Sequence, residues 1–219
     1  MSRGLGVFLK PFGGIIVLCS VLYAQSTKPE DLATGKVLVM ERQSPDPNFA
    51  ESVILLIHYG SDGVVGLMLN RPASVPVSSL NDIDGTAGRS DRLYLGGPVE
   101  LDAVTALVKT TTVPPGGIRV AADLYAAMTK RSLEAALKKS NGHEDLRIYL
   151  GYCGWSLPQL QNEMKLGSWY IFDRGEQFAL DSTPSTLWKR LIDRTGLKVA
   201  FAIGSLPPFL PRSSIKRAQ

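Results

Sequence analysis

The chain is poor in the residues that usually bind metal ions. It contains only two cysteines and two histidines, and these lie far apart as Cys19, His58, His143 and Cys153. A zinc site needs several such ligands at short spacings. His58 ends an apolar segment and His143 lies in a charged loop, so we expect an ordinary strand-end side chain and a solvent-exposed one. The sequence therefore predicts no metal site, and no motif in it indicates a cofactor.

Motifs of common enzyme and nucleotide-binding families are also missing. No serine lies in a Gly-x-Ser-x-Gly pattern, and Gly96-Gly97-Pro98 lacks the Lys-Ser/Thr pair of a phosphate-binding loop. The basic residues of segment 130–139 surround Glu134, which is typical of a solvated helix face rather than of a helix that reads DNA. The sequence thus argues against a serine hydrolase, a nucleotide-binding protein and a basic DNA-binding helix.

The N-terminal segment has the layout of a signal peptide. Arg3 and Lys10 precede an uncharged apolar run over residues 12–24, which is short for a membrane span. Cleavage after Ala24 would remove two positive charges and no negative one, so the formal net charge would fall from +4 to +2. It would leave Cys153 as the only cysteine, which excludes an intramolecular disulfide. We expect an exported chain. The alternatives are a signal anchor that is retained in the membrane, and a cytoplasmic chain if the segment does not function.

Hydrophobic patterning predicts one α+β domain. Segments 36–40 and 52–58 are apolar on both faces, which is typical of central strands, and a short turn with glycine joins the second to segment 64–69 as an antiparallel hairpin. Residues 71–92 look irregular, with a short helix near residues 77–80. Further strands are predicted at 93–95, 103–109, 123–128, 146–150, 169–172 and 199–203.

Three helices are expected to cover this sheet. They follow Thr129, Ser156 and Thr183, where Thr129 and Thr183 are predicted N-caps and Pro184 takes the first helical position. The predicted organisation is a signal peptide or anchor at 1–24, a polar arm at 25–34, the domain at 35–205 and a flexible, basic, proline-rich tail at 206–219.

Four short blocks occur in a characteristic order. They are Ser44-Pro45-Asp46-Pro47-Asn48-Phe49-Ala50-Glu51-Ser52-Val53, Gly66-Leu67-Met68-Leu69-Asn70-Arg71-Pro72, Leu95-Gly96-Gly97-Pro98-Val99 and Leu150-Gly151-Tyr152-Cys153-Gly154-Trp155. Together they resemble the YqgE/AlgH family. The resemblance implies a single α+β domain with a large mixed, mainly antiparallel sheet flanked by helices, and it implies little chemistry. Family members often carry a transcriptional-regulator label and are usually cytoplasmic, whereas this chain begins with an export-like segment.

The matched blocks, with Gln159 and Glu163 that follow the last of them, supply a set of polar and aromatic residues that we predict to form a binding surface. If strand ends bring these residues together, Arg71 would hold a carboxylate or phosphate and Trp155 would form an apolar wall. The alternative is structural: turn hydrogen bonds from Asp46 and Asn48, an ion pair from Arg71, and Trp155 in the core. The full set is Asp46, Asn48, Phe49, Asn70, Arg71, Gly96, Gly97, Trp155, Gln159 and Glu163.

Matched motifs without catalytic groups favour a non-enzymatic binding or regulatory module. Its partner would be an unknown protein or a small anionic ligand, with no nucleic acid expected for an exported chain. One alternative is a thiol-dependent or hydrolytic enzyme using Cys153, because a thiolate between a strand end and a helix N-terminus would have a lowered pKa. Another is a cytoplasmic transcriptional regulator, as the label of the resembling family suggests.

Overall fold

The computed structural model describes residues 25–204 except 45, 141 and 143, and side chains as far as residue 196. The predicted segment 1–24, the tail 206–219 and His143 lie outside the described residues. The described residues form three α-helices: α1 (Lys130–Lys139), α2 (Leu157–Lys165) and α3 (Pro184–Gly204). The strands are β1 (Gln25–Ser26), β2 (Val37–Met40), β3 (Val53–Gly60), β4 (Gly63–Met68), β5 (Pro72–Pro76), β6 (Arg92–Leu95), β7 (Val99–Lys109), β8 (Ile118–Arg119), β9 (Leu124–Ala127), β10 (Leu146–Trp155) and β11 (Trp169–Phe172).

The strands form one 11-stranded sheet in the order β1-β11-β2-β3-β4-β10-β7-β9-β8, with β5 paired to β6 and β6 to β10. Every pairing is antiparallel except that of β6 with β10. Strand β10 joins the two halves, since residues 153–155 pair with β4 and the preceding part pairs with β7. The register shifts between Leu150 and Tyr152, around Gly151 with φ of 67°, and such bulges bend a strand. The mixed, mainly antiparallel sheet is confirmed.

The central strands are buried on both faces, as their uninterrupted apolar sequences indicate. In β2, Val37 and Val39 pack on the side covered by α3, whereas Leu38 and Met40 pack on the side covered by α2. The strand period of two separates these sets. Helix α1 covers the far half of the sheet, where Leu133, Ala136 and Leu137 pack with residues of β7 and β9.

Two helices begin with a side-chain cap, and the cap at Thr129 was expected from the sequence. Thr129 Oγ1 accepts a hydrogen bond from the Ser132 backbone N at 3.2 Å, and Ser132 Oγ accepts one from the Thr129 backbone N at 3.0 Å. This capping box satisfies two N–H groups that the helix itself leaves unpaired. Ser156 accepts from the Gln159 backbone N at 3.3 Å and caps α2.

Several local expectations need correction. Residues 199–203 lie in α3 rather than in a strand, because the helix that starts at Pro184 continues through them. A short apolar run fits either structure, so its pattern alone does not decide between them. Segment 71–92, expected to be irregular, contains β5, although a 3-10 helix at Val77–Ser79 matches the predicted short helix. The predicted arm contributes β1 at the sheet edge.

Within the described part of the chain, no helix has the length and apolar character needed to cross a membrane. The same residues hold no group of three or more His, Cys, Asp or Glu side chains arranged to bind a metal ion. His58 is exposed near the end of β3, where its Nε2 lies 2.9 Å from Asp62 Oδ1.

Candidate functional site

The first matched block forms a tight turn that presents Phe49. The Asp46 carboxylate accepts a hydrogen bond from the Asn48 backbone N at 2.8 Å, and the Phe49 backbone N donates to the Asp46 carbonyl at 3.1 Å. A short polar side chain that bonds its own backbone two residues on is a common way to stabilise a turn. The Asp46 side chain therefore has the structural role that the sequence left open, and Asn48 contributes its backbone N–H to the same turn.

The second block holds the end of that turn in place. Asn70 accepts from the Val53 backbone N through Oδ1 and donates to the Glu51 carbonyl through Nδ2, both at 2.9 Å. Arg71 donates to the Ala50 carbonyl at 3.1 Å. Arg71 forms no ion pair with a described acid, so the predicted ion pair is wrong. The carbonyl of Ala50 is its partner instead. Asn70 and Arg71 support the segment behind Phe49.

Three aromatic rings meet beneath this turn. The Phe49 and Trp155 rings are stacked with centroids 5.9 Å apart and planes 30° apart, and Trp169 meets Phe49 edge-on at 5.8 Å. The two indoles also meet edge-on at 6.2 Å. Trp155 is only 5% exposed, so it fills the core behind Phe49 rather than forming an open wall.

The Glu163 carboxylate, on α2, organises these rings. Its Oε2 accepts from the indole N–H of Trp169 at 2.8 Å and of Trp155 at 3.2 Å, while Oε1 accepts from the Gln159 amide at 3.1 Å. An indole N–H buried without an acceptor would cost about 1–3 kcal/mol. Glu163 therefore satisfies both indoles and is itself held in one position.

A cleft of about 230 Å³ opens between the turn, α2 and the strand ends. We name it the aromatic cleft. It combines an aromatic floor with three carboxylates, and among the described residues no lysine or arginine lines it. The lining residues are Met40, Glu41, Ser44, Asp46, Phe49, Gln159, Glu163, Ser168 and Trp169.

Four of the ten predicted surface residues line this cleft, and Trp155 lies directly behind Phe49. Trp169 and Glu41 lie outside the predicted surface. Trp169 begins a strand and Glu41 directly follows one, and the hydrogen bond from Glu41 N to Ser168 O at 2.9 Å brings these two strand ends together. Aromatic and acidic residues at strand ends were the available signal, but nothing in the pattern identified β2 and β11 as neighbours.

Gly96 and Gly97 have a packing role. A Cβ at Gly96 would lie 2.2 Å from the Gly151 carbonyl, and one at Gly97 would lie 2.1 Å from the Tyr152 backbone. Only glycine allows the chain to cross β10 this closely. The Gly96 N–H donates to the Leu150 carbonyl at 2.7 Å, so the block fixes the crossing rather than lining the aromatic cleft.

Cys153 lies inside the core. It is fully buried, and its thiol donates to the Gly96 carbonyl at 3.4 Å. Burial raises the pKa of the Cys153 thiol far above its ordinary value, and the positive charge of Arg71 offsets only part of this rise. Reactive cysteines need partial exposure and a lowered pKa, so the expected thiolate at this strand end is not formed.

A second cleft, of about 420 Å³, lies where β6 and the start of β10 meet residues 180–182. We name it the Arg147 cleft. None of its residues belongs to the predicted surface. The available signal was Arg147 itself, a single charge within the apolar strand sequence Leu146–Leu150. The lining residues are Ser90, Asp91, Arg92, Tyr94, Glu144, Leu146, Arg147, Leu180 and Ser182.

The fold and these clefts define a single-domain α+β protein built on one large, mainly antiparallel sheet. Residues 37–200 match the family model described as AlgH-like. The chain belongs to this AlgH-like family, which confirms the resemblance seen in the four sequence blocks.

Relatives and solved structures agree with this assignment. A UPF0301 protein of Chlorobaculum tepidum is 30% identical over 83% of this chain and 96% of its own length. A UPF0301 protein of Streptomyces avermitilis is 34% identical over 74% of this chain and 86% of its own length. The solution structure of AlgH from Pseudomonas aeruginosa covers 80% of this chain and 94% of that protein, with a TM-score of 0.61 and 21% identity, which shows a shared fold.

Proposed function

We propose that this chain is a non-enzymatic binding module whose aromatic cleft receives a basic side chain of a partner protein. The observation that carries the proposal is the composition of the cleft. Phe49 provides an aromatic surface backed by the buried Trp169, Glu41, Asp46 and Glu163 provide negative charge, and no described lysine or arginine lines the cleft.

This composition suits a lysine or arginine side chain. A cation over an aromatic ring gains about 0.5–2 kcal/mol, depending on how much water is excluded. Carboxylates at the rim would attract the charged end, while the partly exposed Phe49 ring would contact the aliphatic stem. The same lining disfavours an anion, so a small anionic ligand would not bind here.

The state of Cys153 supports binding over catalysis by a thiol. A nucleophilic cysteine must be reachable and largely ionised near neutral pH, and Cys153 is neither. We expect the full chain carrying Cys19→Ser to react with a thiol reagent only after unfolding. Rapid modification of the native protein, with loss of an activity in Cys153→Ala, would support the enzyme alternative instead.

The cleft can be tested with short capped peptides that contain a single lysine, arginine or glutamate. We expect the two basic peptides to shift NMR signals of residues around the cleft, and the glutamate peptide to shift none. Glu41→Lys should weaken binding at least tenfold, because Glu41 lines the cleft and the change replaces its negative charge with a positive one.

Glu30→Lys is the matched control, because it makes the same charge change at an exposed position outside the cleft. Equal binding of the glutamate peptide, or equal losses in the two lysine variants, would reject a cation site.

We also propose that the module acts outside the cytoplasm, on the basis of the sequence of residues 1–24. Fractionation of cells that express the full chain, with intact-mass measurement, tests this proposal. We expect a mature chain that begins at Gln25. A full-length chain found only in the cytoplasm would reject export and would return attention to a regulatory role.

A further inference from the structure

Arg147 is a buried charge in an apolar strand. Its neighbours Leu146 and Ile148 are fully buried, and Arg147 itself is 6% exposed. Charged side chains are rarely buried to this degree unless a counter-charge or several hydrogen bonds compensate them. The partners of Arg147 therefore show whether its charge is already neutralised.

The partners of the guanidinium are all neutral. Arg147 Nη1 donates to the Ala179 carbonyl at 3.3 Å and Nη2 to the Asp181 carbonyl at 2.9 Å. Its Cζ lies 4.3 Å from the centroid of the Tyr94 ring. Beside it, burial raises the pKa of the Tyr149 hydroxyl, so this group is a neutral phenol.

These contacts leave part of the guanidinium free to bind. A guanidinium has five N–H donors, of which two bond to carbonyls and one more reaches Tyr149 at most. Stacking on Tyr94 uses the flat face of the group and leaves its edge available. At least two N–H donors therefore lack a partner among the described residues.

The acids around the cleft do not neutralise Arg147. Asp91 is held by Arg89, with Nε to Oδ1 at 3.0 Å and Nη2 to Oδ2 at 2.8 Å. Arg190 reaches Asp181 Oδ1 at 2.6 Å. Glu144 is exposed at the rim, and no described carboxylate forms an ion pair with Arg147.

We propose that the Arg147 cleft binds a small organic anion, through a carboxylate or a phosphate monoester, with an apolar group attached. The anion would take the free edge of Arg147, a geometry that pairs well with two oxygens. Arg92 adds a second positive charge, Ser90 and Ser182 add hydroxyls, and Leu146 and Leu180 add apolar surface. The cleft volume of about 420 Å³ lies in the range typical of small-molecule sites.

This site is separate from the aromatic cleft and does not depend on the function proposed for it. None of the described residues lines both clefts. The two proposals can therefore fail independently: loss of peptide binding with retained anion binding would reject only the first, and the reverse would reject only the second.

The test uses the full chain and four probes: phenyl phosphate, benzoate, inorganic phosphate and uncharged benzyl alcohol. Binding is measured by calorimetry and by NMR signals of residues 90–94 and 180–182. We expect saturable binding of phenyl phosphate or benzoate that is at least tenfold tighter than binding of the other two probes. Whichever of the two binds more tightly identifies the anionic group as phosphate ester or carboxylate.

Variants then locate the site. Arg147→Lys keeps the charge but loses the paired N–H edge, and we expect at least a tenfold loss of affinity. Because that change alters a buried group, Ser182→Trp provides a second test at an exposed position of the cleft wall, where the larger ring should block the cleft. Ser61→Trp, at an exposed turn outside the cleft, is the matched control and should bind as the wild type does.

Two results would overturn the whole proposal, and a third would overturn its apolar part. One is benzyl alcohol binding as tightly as both anions, because charge would then play no part. The other is unchanged affinity in Ser182→Trp with the folded structure retained, because the anion would then lie elsewhere. If inorganic phosphate binds as tightly as phenyl phosphate, the apolar group adds nothing, and that part of the proposal is rejected.

Discussion

The aromatic cleft and the Arg147 cleft each place a charged side chain beside aromatic rings, but they treat that charge differently. Glu163 accepts hydrogen bonds from two indoles and an amide of its own chain. Arg147 has neutral carbonyls and a ring as partners and keeps free donors. A buried charge whose hydrogen bonds are all made within the protein mainly stabilises the fold. A buried charge that lacks some of these partners attracts a ligand of opposite charge.

The comparison also predicts different salt dependence. In the aromatic cleft, attraction for a cation would come largely from the partly exposed carboxylates Glu41 and Asp46, and salt screens such charges. Arg147 is buried, and buried charges are screened much less. We expect added salt to weaken binding of a basic peptide more than binding of an organic anion.

The largest effect should come from removing the floor of the aromatic cleft. Trp169 is 1% exposed and packs against Phe49 and Trp155. Trp169→Ala should lower the free energy of unfolding by about 3–5 kcal/mol, as measured by urea denaturation. Ser182→Ala, at the surface of the other cleft, should change it by less than about 0.5 kcal/mol. Similar losses of stability in Trp169→Ala and Ser182→Ala would contradict the view that Trp169 belongs to the hydrophobic core.

The second-largest loss of stability is expected from changes at Glu163. Glu163→Ala leaves two buried indole N–H groups without their acceptor, so we expect a loss of about 1–3 kcal/mol in urea denaturation. Glu163→Gln keeps an acceptor oxygen and should lose less, while it removes the charge and weakens basic-peptide binding. Equal losses of stability in the two variants would show that hydrogen bonding to the indoles is not the main role of Glu163.

Replacing Arg147 should have a smaller effect on stability and a clear effect on binding. Arg147→Met loses two hydrogen bonds to carbonyls but keeps an unbranched apolar stem, so we expect a loss of about 1–2 kcal/mol. An anion at about ten times its Kd should stabilise the wild type by roughly 1.4 kcal/mol. Thermal unfolding should show no such gain in Arg147→Met, and an equal gain would contradict the site.

The smallest effect is a pH dependence of stability beside the Arg147 cleft, at Asp181, which lies between the lining residues Leu180 and Ser182. Burial alone would raise the pKa of Asp181, but hydrogen bonds from Arg190 and Thr183 hold it below its ordinary value. A lowered folded-state pKa contributes stability above the unfolded pKa of about 3.9 and loses it as pH falls through the folded value.

Because the Asp181 pair is partly exposed, we expect its contribution to be less than about 1 kcal/mol. The wild type should lose the contribution of the Asp181 pair as the pH falls below about 4. Arg190→Gln lacks the pair, so its stability should fall less over the same pH range, as measured by urea denaturation at each pH. Arg131→Gln, on the exposed surface of α1, is the control and should leave the pH profile unchanged.

Much of the fold was predictable because local pattern and tertiary structure agree. Residues apolar on both faces placed β2 and β3 at the centre, and a short glycine turn predicted the β3–β4 hairpin. Thr129 capped α1 as expected. Residues 199–203 show the opposite case, since an apolar run suits a strand or the end of a helix and only its continuity with α3 decides.

The candidate sites were predictable only in part. Phe49 lies in a matched block and Glu163 follows the last block, so both were expected at a surface, and the structure places both at the aromatic cleft. Arg71 was expected to bind an anion, but it donates to Ala50 and supports the turn. The arginine that is buried with free donors is Arg147, which the sequence did not single out. The carbonyls that it contacts belong to Ala179 and Asp181, more than thirty residues further along the chain.

The sequence by itself determined the class of fold, the central strands, the helix starts and the family, because these depend on periodicity, capping chemistry and short motifs within a few residues. Only the tertiary structure decided which strand ends became neighbours, and so which charges found internal partners. It brought Glu163 to two indoles and left Arg147 with neutral carbonyls and the Tyr94 ring. The physical reason is that the state of a buried charge depends on groups distant in sequence, whose approach local patterns do not specify.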